Sequence, residues 1–122
     1  MKSGSKVLLY PGRFDEWKRQ DLAIEIMHQL VLLNHDEFIL VFCGHNYSNS
    51  YFSKLKRLVI KYNLDSYVYF IDPIAPAALH RLMNQSYAVL SLYKHSNLGN
   101  VLIEASLAGS FIITILDGST DF

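Results

Sequence analysis

The chain has 122 residues, a formal net charge of zero and 51% apolar side chains. That is room for one domain with a single core, and it is too apolar and too varied for a disordered segment. Zero net charge argues against a broad nucleic-acid surface, which needs a basic excess, but leaves room for a local anion site.

Short apolar runs alternate with longer helical patterns along the chain. The first run, Val7–Tyr10, reads as a strand. The residues before it, Met1 to Lys6, show no signal-peptide pattern, and no run approaches the roughly 20 apolar residues of a membrane span. A helix is expected from about Arg19 to Leu33, with Leu22, Ala23, Ile26, Leu30 and Leu33 as its apolar stripe. Phe38–Cys43 is the second strand. Its Cys43 is the only cysteine, so it forms no internal disulfide and reads as a small buried hydrophobe, which suits a reducing cytoplasm.

The second helix covers about Tyr51 to Tyr62, with Phe52, Leu55, Leu58 and Val59 on one side and Lys54, Arg57 and Lys61 on a solvated face. The third strand is Tyr67–Ile71. The third helix covers about Pro76 to Gln85, with Leu79, Leu82 and Met83 inward. The fourth strand is Ala88–Leu92. A fourth helix begins near Leu98 and stops before Gly109, a residue suited to a helix C′ position. The fifth strand is Phe111–Leu116.

Strands that are apolar at nearly every position belong in a parallel sheet covered on both faces. The alternation predicts an α/β, Rossmann-like doubly wound sheet with right-handed crossovers. Strand order 3-2-1-4-5 is expected, with the first and fourth strands as neighbours. Ligands of such sheets bind at that switch point, off the carboxyl ends of the strands. No internal repeat or linker is visible, so residues 1–122 are expected to form one domain.

The loops after strands one and four should therefore face each other. The first, Pro11–Lys18, carries Arg13 and Lys18. A cation near a helix N-terminus is disfavoured by the helix dipole, and a bound anion reverses that cost. Arginine suits bidentate contact with phosphate, and lysine adds a point charge. The alternative is that both cations pair with Asp15 and Glu16 on the surface.

The second loop opens the fourth helix, Ser96-Asn97-Leu98-Gly99-Asn100-Val101-Leu102-Ile103-Glu104. The free N–H groups of Leu98, Gly99, Asn100 and Val101 make an anion site, and Gly99 allows close approach. Glu104 lies ~7–9 Å along the axis from the first turn. A diphosphate at the helix start would place an adjoining ribose near Glu104, whose carboxylate can accept bonds from a vicinal diol. An exposed helix glutamate is the simpler alternative, which the apolar neighbours of Glu104 oppose. Gly44, after the second strand, lets the chain turn near the same crevice, as a plain strand-to-helix turn would also require.

Other chemistry finds little support. The histidines show no ligand spacing and no Cys–His cluster exists, so no metal site is expected. There is no Walker loop, GxGxxG or nucleophile elbow. A response-regulator site would need an acidic cluster, for which Asp15, Glu16 and Asp72 are the candidates.

Taken together, Arg13 to Lys18, Gly44 and Gly99-Asn100-Val101-Leu102-Ile103-Glu104-Ala105 with Ala108-Gly109 resemble the C-terminal, donor-binding domain of GT-B retaining glycosyltransferases of family 4, group 1. The resemblance spans nearly the whole chain. It implies a UDP- or GDP-sugar as substrate with no separate cofactor, and hexosyl transfer to a glycan or lipid-linked acceptor, as in polysaccharide biosynthesis. By the same resemblance, Arg13 and Lys18 hold the diphosphate with backbone groups of Leu98 to Val101, and Glu104 holds the ribose. Ser96 and Asn97 lie at the donor sugar, Gly12 and Gly44 in loops near the donor, and Ile71 and Ile74 near the base. The implied location is cytoplasmic, peripheral to the membrane in a full-length enzyme.

Two departures stand out. The leading glutamate of the family's Glu-x7-Glu motif falls on Ser96, which can cap a helix and make one hydrogen bond but supplies no charge. Residues 1–122 are also expected to hold no N-terminal acceptor-binding domain, so the chain alone is expected to bind a donor rather than to turn it over. Two rivals remain: a non-catalytic nucleotide-binding module with a degenerate sugar site, and an interaction-only domain of flavodoxin-like shape.

Overall fold

The computed structural model describes residues 4–45, 49–92 and 111–114. In chain order its elements are β1 (Lys6–Pro11), a 3-10 turn (Glu16–Lys18), α1 (Gln20–Leu32), β2 (Phe38–Cys43), α2 (Asn49–Lys61), β3 (Val68–Ile71), α3 (Pro76–Gln85), β4 (Ala88–Ser91) and β5 (Ile112–Thr114). The sheet has five strands in the order β3-β2-β1-β4-β5, and every pairing is parallel. Strand order and α/β class are those the sequence predicts. The fourth helix expected from Leu98, and Ile115 and Leu116 of the expected fifth strand, lie outside the described residues.

The strand residues alternate between two cores. Leu8, Tyr10, Leu40, Phe42, Val68, Ala88 and Leu90 face α1 and α2, where Ala23, Ile24, Met27, Tyr51, Leu55 and Val59 meet them. Leu9, Ile39, Val41, Cys43 and Val89 face α3, where Met83 is buried among them with Leu79 and Leu82 at the margin. Period-two alternation thus puts α1 and α2 on one face and α3 on the other.

The stripe expected on α1 is displaced. Leu33 is 65% exposed, whereas Ile24 and Met27 are fully buried. The reason is the register of the helix: Gln20, Ile24, Met27 and Val31 follow the i, i+4, i+7, i+11 spacing of one face, and α1 ends before Leu33. Just beyond both α1 and α2 stands an asparagine with positive φ, Asn34 at 64° and Asn63 at 55°. His35 N–H then bonds Leu30 O and Leu64 N–H bonds Val59 O, each at 2.8 Å, the pairing that satisfies the last carbonyls of a helix. On α2 the expected faces hold: Leu55 and Val59 are buried, and Lys54, Arg57 and Lys61 are exposed. Among the described residues, no helix is long and apolar enough to cross a membrane.

Candidate functional site

The carboxyl ends of β1, β2 and β3 are tied together by backbone contacts that continue past the strands. Gly12 N–H donates to Cys43 O at 2.9 Å, Phe14 N–H to His45 O at 2.9 Å, and Gly44 N–H to Ile71 O at 3.3 Å. The two glycines make this closeness possible. Gly12 has φ +134°, and a Cβ on Gly44 would collide with the Gly12 carbonyl. No side chain fits at Gly44 unless the loop after β1 moves away.

Phe14 anchors that loop. Its ring sits 5.0 Å from Phe52, 5.8 Å from Phe42 and 5.9 Å from Phe70, and it is buried. Sequence reasoning gave Phe14 no part. Its signal is faint: the loop holds two aromatic side chains, Phe14 and Trp17, and only Phe14 is buried.

Around this anchor the loop presents its charges. Asp15 caps the 3-10 turn, its Oδ1 accepting from Trp17 N–H at 3.0 Å and Lys18 N–H at 3.2 Å. Its Oδ2 meets Arg13 Nε at 2.9 Å, and the Arg13 side chain is 63% exposed. The surface pairing weighed for Arg13 therefore forms. An exposed pair of this kind is worth only a few tenths to about 1 kcal/mol, and arginine keeps further donors beyond Nε. The aliphatic part of Lys18 passes near Gly12, with Cε 3.9 Å from where a Cβ would stand. Arg13 and Lys18 are thus carried by one loop at the carboxyl end of β1. Lys18 lies in the turn Glu16–Lys18, ahead of α1, so it is not in the first turn of that helix.

Two buried polar side chains hold the loop from beneath. Gln20 Nε2 donates to Arg13 O at 2.8 Å. The Tyr10 hydroxyl donates to Lys18 O and accepts from Leu92 N–H at 3.1 Å. Neither residue was singled out from the sequence. Gln20 had a usable signal, since it stands on the same helical face as Ile24 and Met27.

Beside the loop, a cleft of about 300 Å³ opens at the ends of β2 and β3. Phe14, Gly44 and His45 line one side; Phe52 and Lys56 of α2 and the segment Phe70 to Pro73 line the rest. Ile71 is part of this lining, and Ile74 is not. Lys56 Nζ stands 5.0 Å from the centre of the Phe52 ring. At the end of β2, burial pushes the Cys43 thiol pKa up, with a smaller push from the Asp72 charge. A larger hollow of about 570 Å³ lies at the opposite, amino end of the strands, lined by Ser5, Asp36, Asp65, Ser66 and neighbouring tyrosines.

Ser96, Asn97, Leu98, Gly99, Asn100, Val101 and Glu104 lie outside the described residues. Among the described residues, no group of three or more His, Cys, Asp or Glu could hold a metal ion.

Solved structures share this architecture. A protein of Anabaena, Alr3699/HepE, solved with UDP-glucose, superposes with a TM-score of 0.86 at 20% identity, over 96% of this chain and 31% of that one. WaaG, a glycosyltransferase involved in lipopolysaccharide biosynthesis, gives 0.79 at 26% identity, over 98% of this chain and 31% of that one. A glycosyltransferase from Rickettsia africae gives 0.82 at 18% identity, over 98% of this chain and 31% of that one. The chain thus spans about a third of the length of these proteins. No curated protein matches it. The sequence profile described as glycosyl transferases group 1 matches residues 1–120, and the chain belongs to that family.

Proposed function

We propose that this chain is the donor-binding domain of a retaining glycosyltransferase that takes a UDP- or GDP-sugar. The observation that carries this reading is the loop after β1. It sets Arg13 and Lys18 at the sheet's switch point and is locked to β2 through Gly12 and Gly44. A nucleoside diphosphate there meets two cations on a braced backbone, next to a cleft with room for a base.

In this reading Arg13 and Lys18 neutralise the diphosphate as it becomes the leaving group, the place where fixed charge helps most. Backbone N–H groups of Leu98, Gly99, Asn100 and Val101 complete the anion site. Glu104 accepts from the ribose, Ser96 and Asn97 meet the sugar, and the base lies by Ile71 and Ile74. The acceptor, a glycan or lipid-linked molecule, binds a separate N-terminal domain, so this chain alone binds donor without turnover.

Calorimetric titration of the folded chain with UDP, GDP and their hexose conjugates tests the proposal. Binding that weakens in Arg13→Ala and Lys18→Ala supports it; no binding at millimolar ligand rejects it. Ser96 favours a second reading, a nucleotide-binding module that has lost transfer. With an acceptor domain supplied, Ser96→Glu should then raise turnover, and ordinary turnover with serine in place removes that reading.

A further inference from the structure

The carbonyl groups of Arg13 and Lys18, the two cationic residues of the loop, are each held by a buried polar side chain: Gln20 for the first and Tyr10 for the second. Both side chains are fully buried. Buried polar groups are costly unless hydrogen-bonded, and Gln20 is only half satisfied, because its Oε1 has no partner among the described residues. An apolar residue at either place would fill the space without that cost. What the polar groups add is a fixed backbone, and in both cases it is the backbone of a proposed diphosphate ligand. Tyr10 adds a second link. Its oxygen also accepts from Leu92 N–H, 82 positions along the chain, just past the end of β4. One hydroxyl therefore joins the loop after β1 to the strand on the other side of the switch point.

We propose that Tyr10 and Gln20 are positioning residues for the diphosphate. They touch no ligand; they fix the spacing of Arg13 and Lys18, and Tyr10 sets that loop against the end of β4. The inference rests on the donor-site reading. The Cα of each cation is one bond from the carbonyl carbon that is held, so a loosened carbonyl displaces the side chain directly. Misplacement by about 1 Å can cost on the order of 10²-fold where geometry matters, and a loss of about tenfold in diphosphate affinity is expected here.

The test compares UDP with uridine, and GDP with guanosine, in Tyr10→Phe and Gln20→Met, which keep shape and remove the donor. Val59→Ala in α2 serves as a control that lowers stability away from the loop. NMR titration should show the diphosphate preference falling about tenfold in both variants and holding in the control, with nucleoside affinity unchanged. An unaltered preference in folded variants overturns the inference and leaves the donor site standing. No diphosphate preference in the unmodified chain sinks the donor reading itself. Should a variant fail to fold, the Leu92 amide of the unmodified chain decides: UDP or GDP should slow its hydrogen exchange and the nucleoside should not, and equal exchange overturns the inference.

Discussion

The two ends of the sheet differ in chemistry more than in shape. The amino end has the larger hollow, about 570 Å³, lined by Asp36 and Asp65. The carboxyl end has a cleft of about 300 Å³ with Lys56 in its wall, beside a loop that bears Arg13 and Lys18. Volume alone would select the amino end. Charge and backbone closeness favour the carboxyl end for the proposed diphosphate, because carboxylates repel a diphosphate and cations on a braced loop attract it. The strands run in one direction and share their cores, so the difference comes from the loops at their two ends rather than from the sheet.

The largest effect should come from Gly44→Ala. Its Cβ would meet the Gly12 carbonyl, which is main chain and gives way only if the whole loop after β1 moves. A loss of about 3 kcal/mol or more in urea unfolding is expected, at or beyond the usual cost of overpacking. Near-native stability would show that the loops after β1 and β2 are not locked together.

Arg13→Ala should act on binding and spare stability. Losing charge-assisted bonds to phosphate costs about 1.5–3 kcal/mol, or roughly ten- to 100-fold in UDP or GDP affinity. The Asp15 contact is exposed, so thermal stability should change little. Unchanged affinity in the folded variant would return Arg13 to a surface pairing with Asp15.

Alkaline pH should destabilise the fold from within the α1–α2 face. Burial pushes the Tyr51 pKa up, against an opposing hydrogen bond with the backbone of Asp21. The folded state therefore keeps the proton longer than the unfolded chain. The contribution is present in full below the unfolded value, about 10, and is lost as pH rises through the folded one. Unfolding curves from about pH 9 to 11 should show declining stability, and Tyr51→Phe should flatten the decline. The smallest effect is expected from Asp65→Asn, which should leave nucleotide affinity within about twofold, since its charge lies at the far end of the sheet. A clear gain or loss would place the nucleotide at the amino end.

The sheet was legible because burial leaves a periodic record. Phe38–Cys43 and Pro76–Gln85 have the bounds that the apolar pattern predicts. The bracing of the site was not legible in the same way. Tyr10 reads as one more strand residue, and its hydroxyl joins residues 8 and 82 positions away, a distance no local pattern records. Gly44 reads as a turn glycine, whereas its role is to let Gly12 pass. Gln20 is a polar residue on an apolar face, a local inconsistency that pointed inward. The anion-binding helix expected at Leu98 to Glu104 lies outside the described residues.

The proposed donor site puts a nucleoside diphosphate at the carboxyl end of this sheet. Amide chemical shifts of the folded chain, followed during titration with UDP and GDP, test it most directly. Gly12, Arg13, Gly44 and Ile71 should shift with a common affinity while Asp36, Asp65 and Ser66 stay still. Shifts centred on Asp36 and Asp65, or none at millimolar ligand, would contradict it.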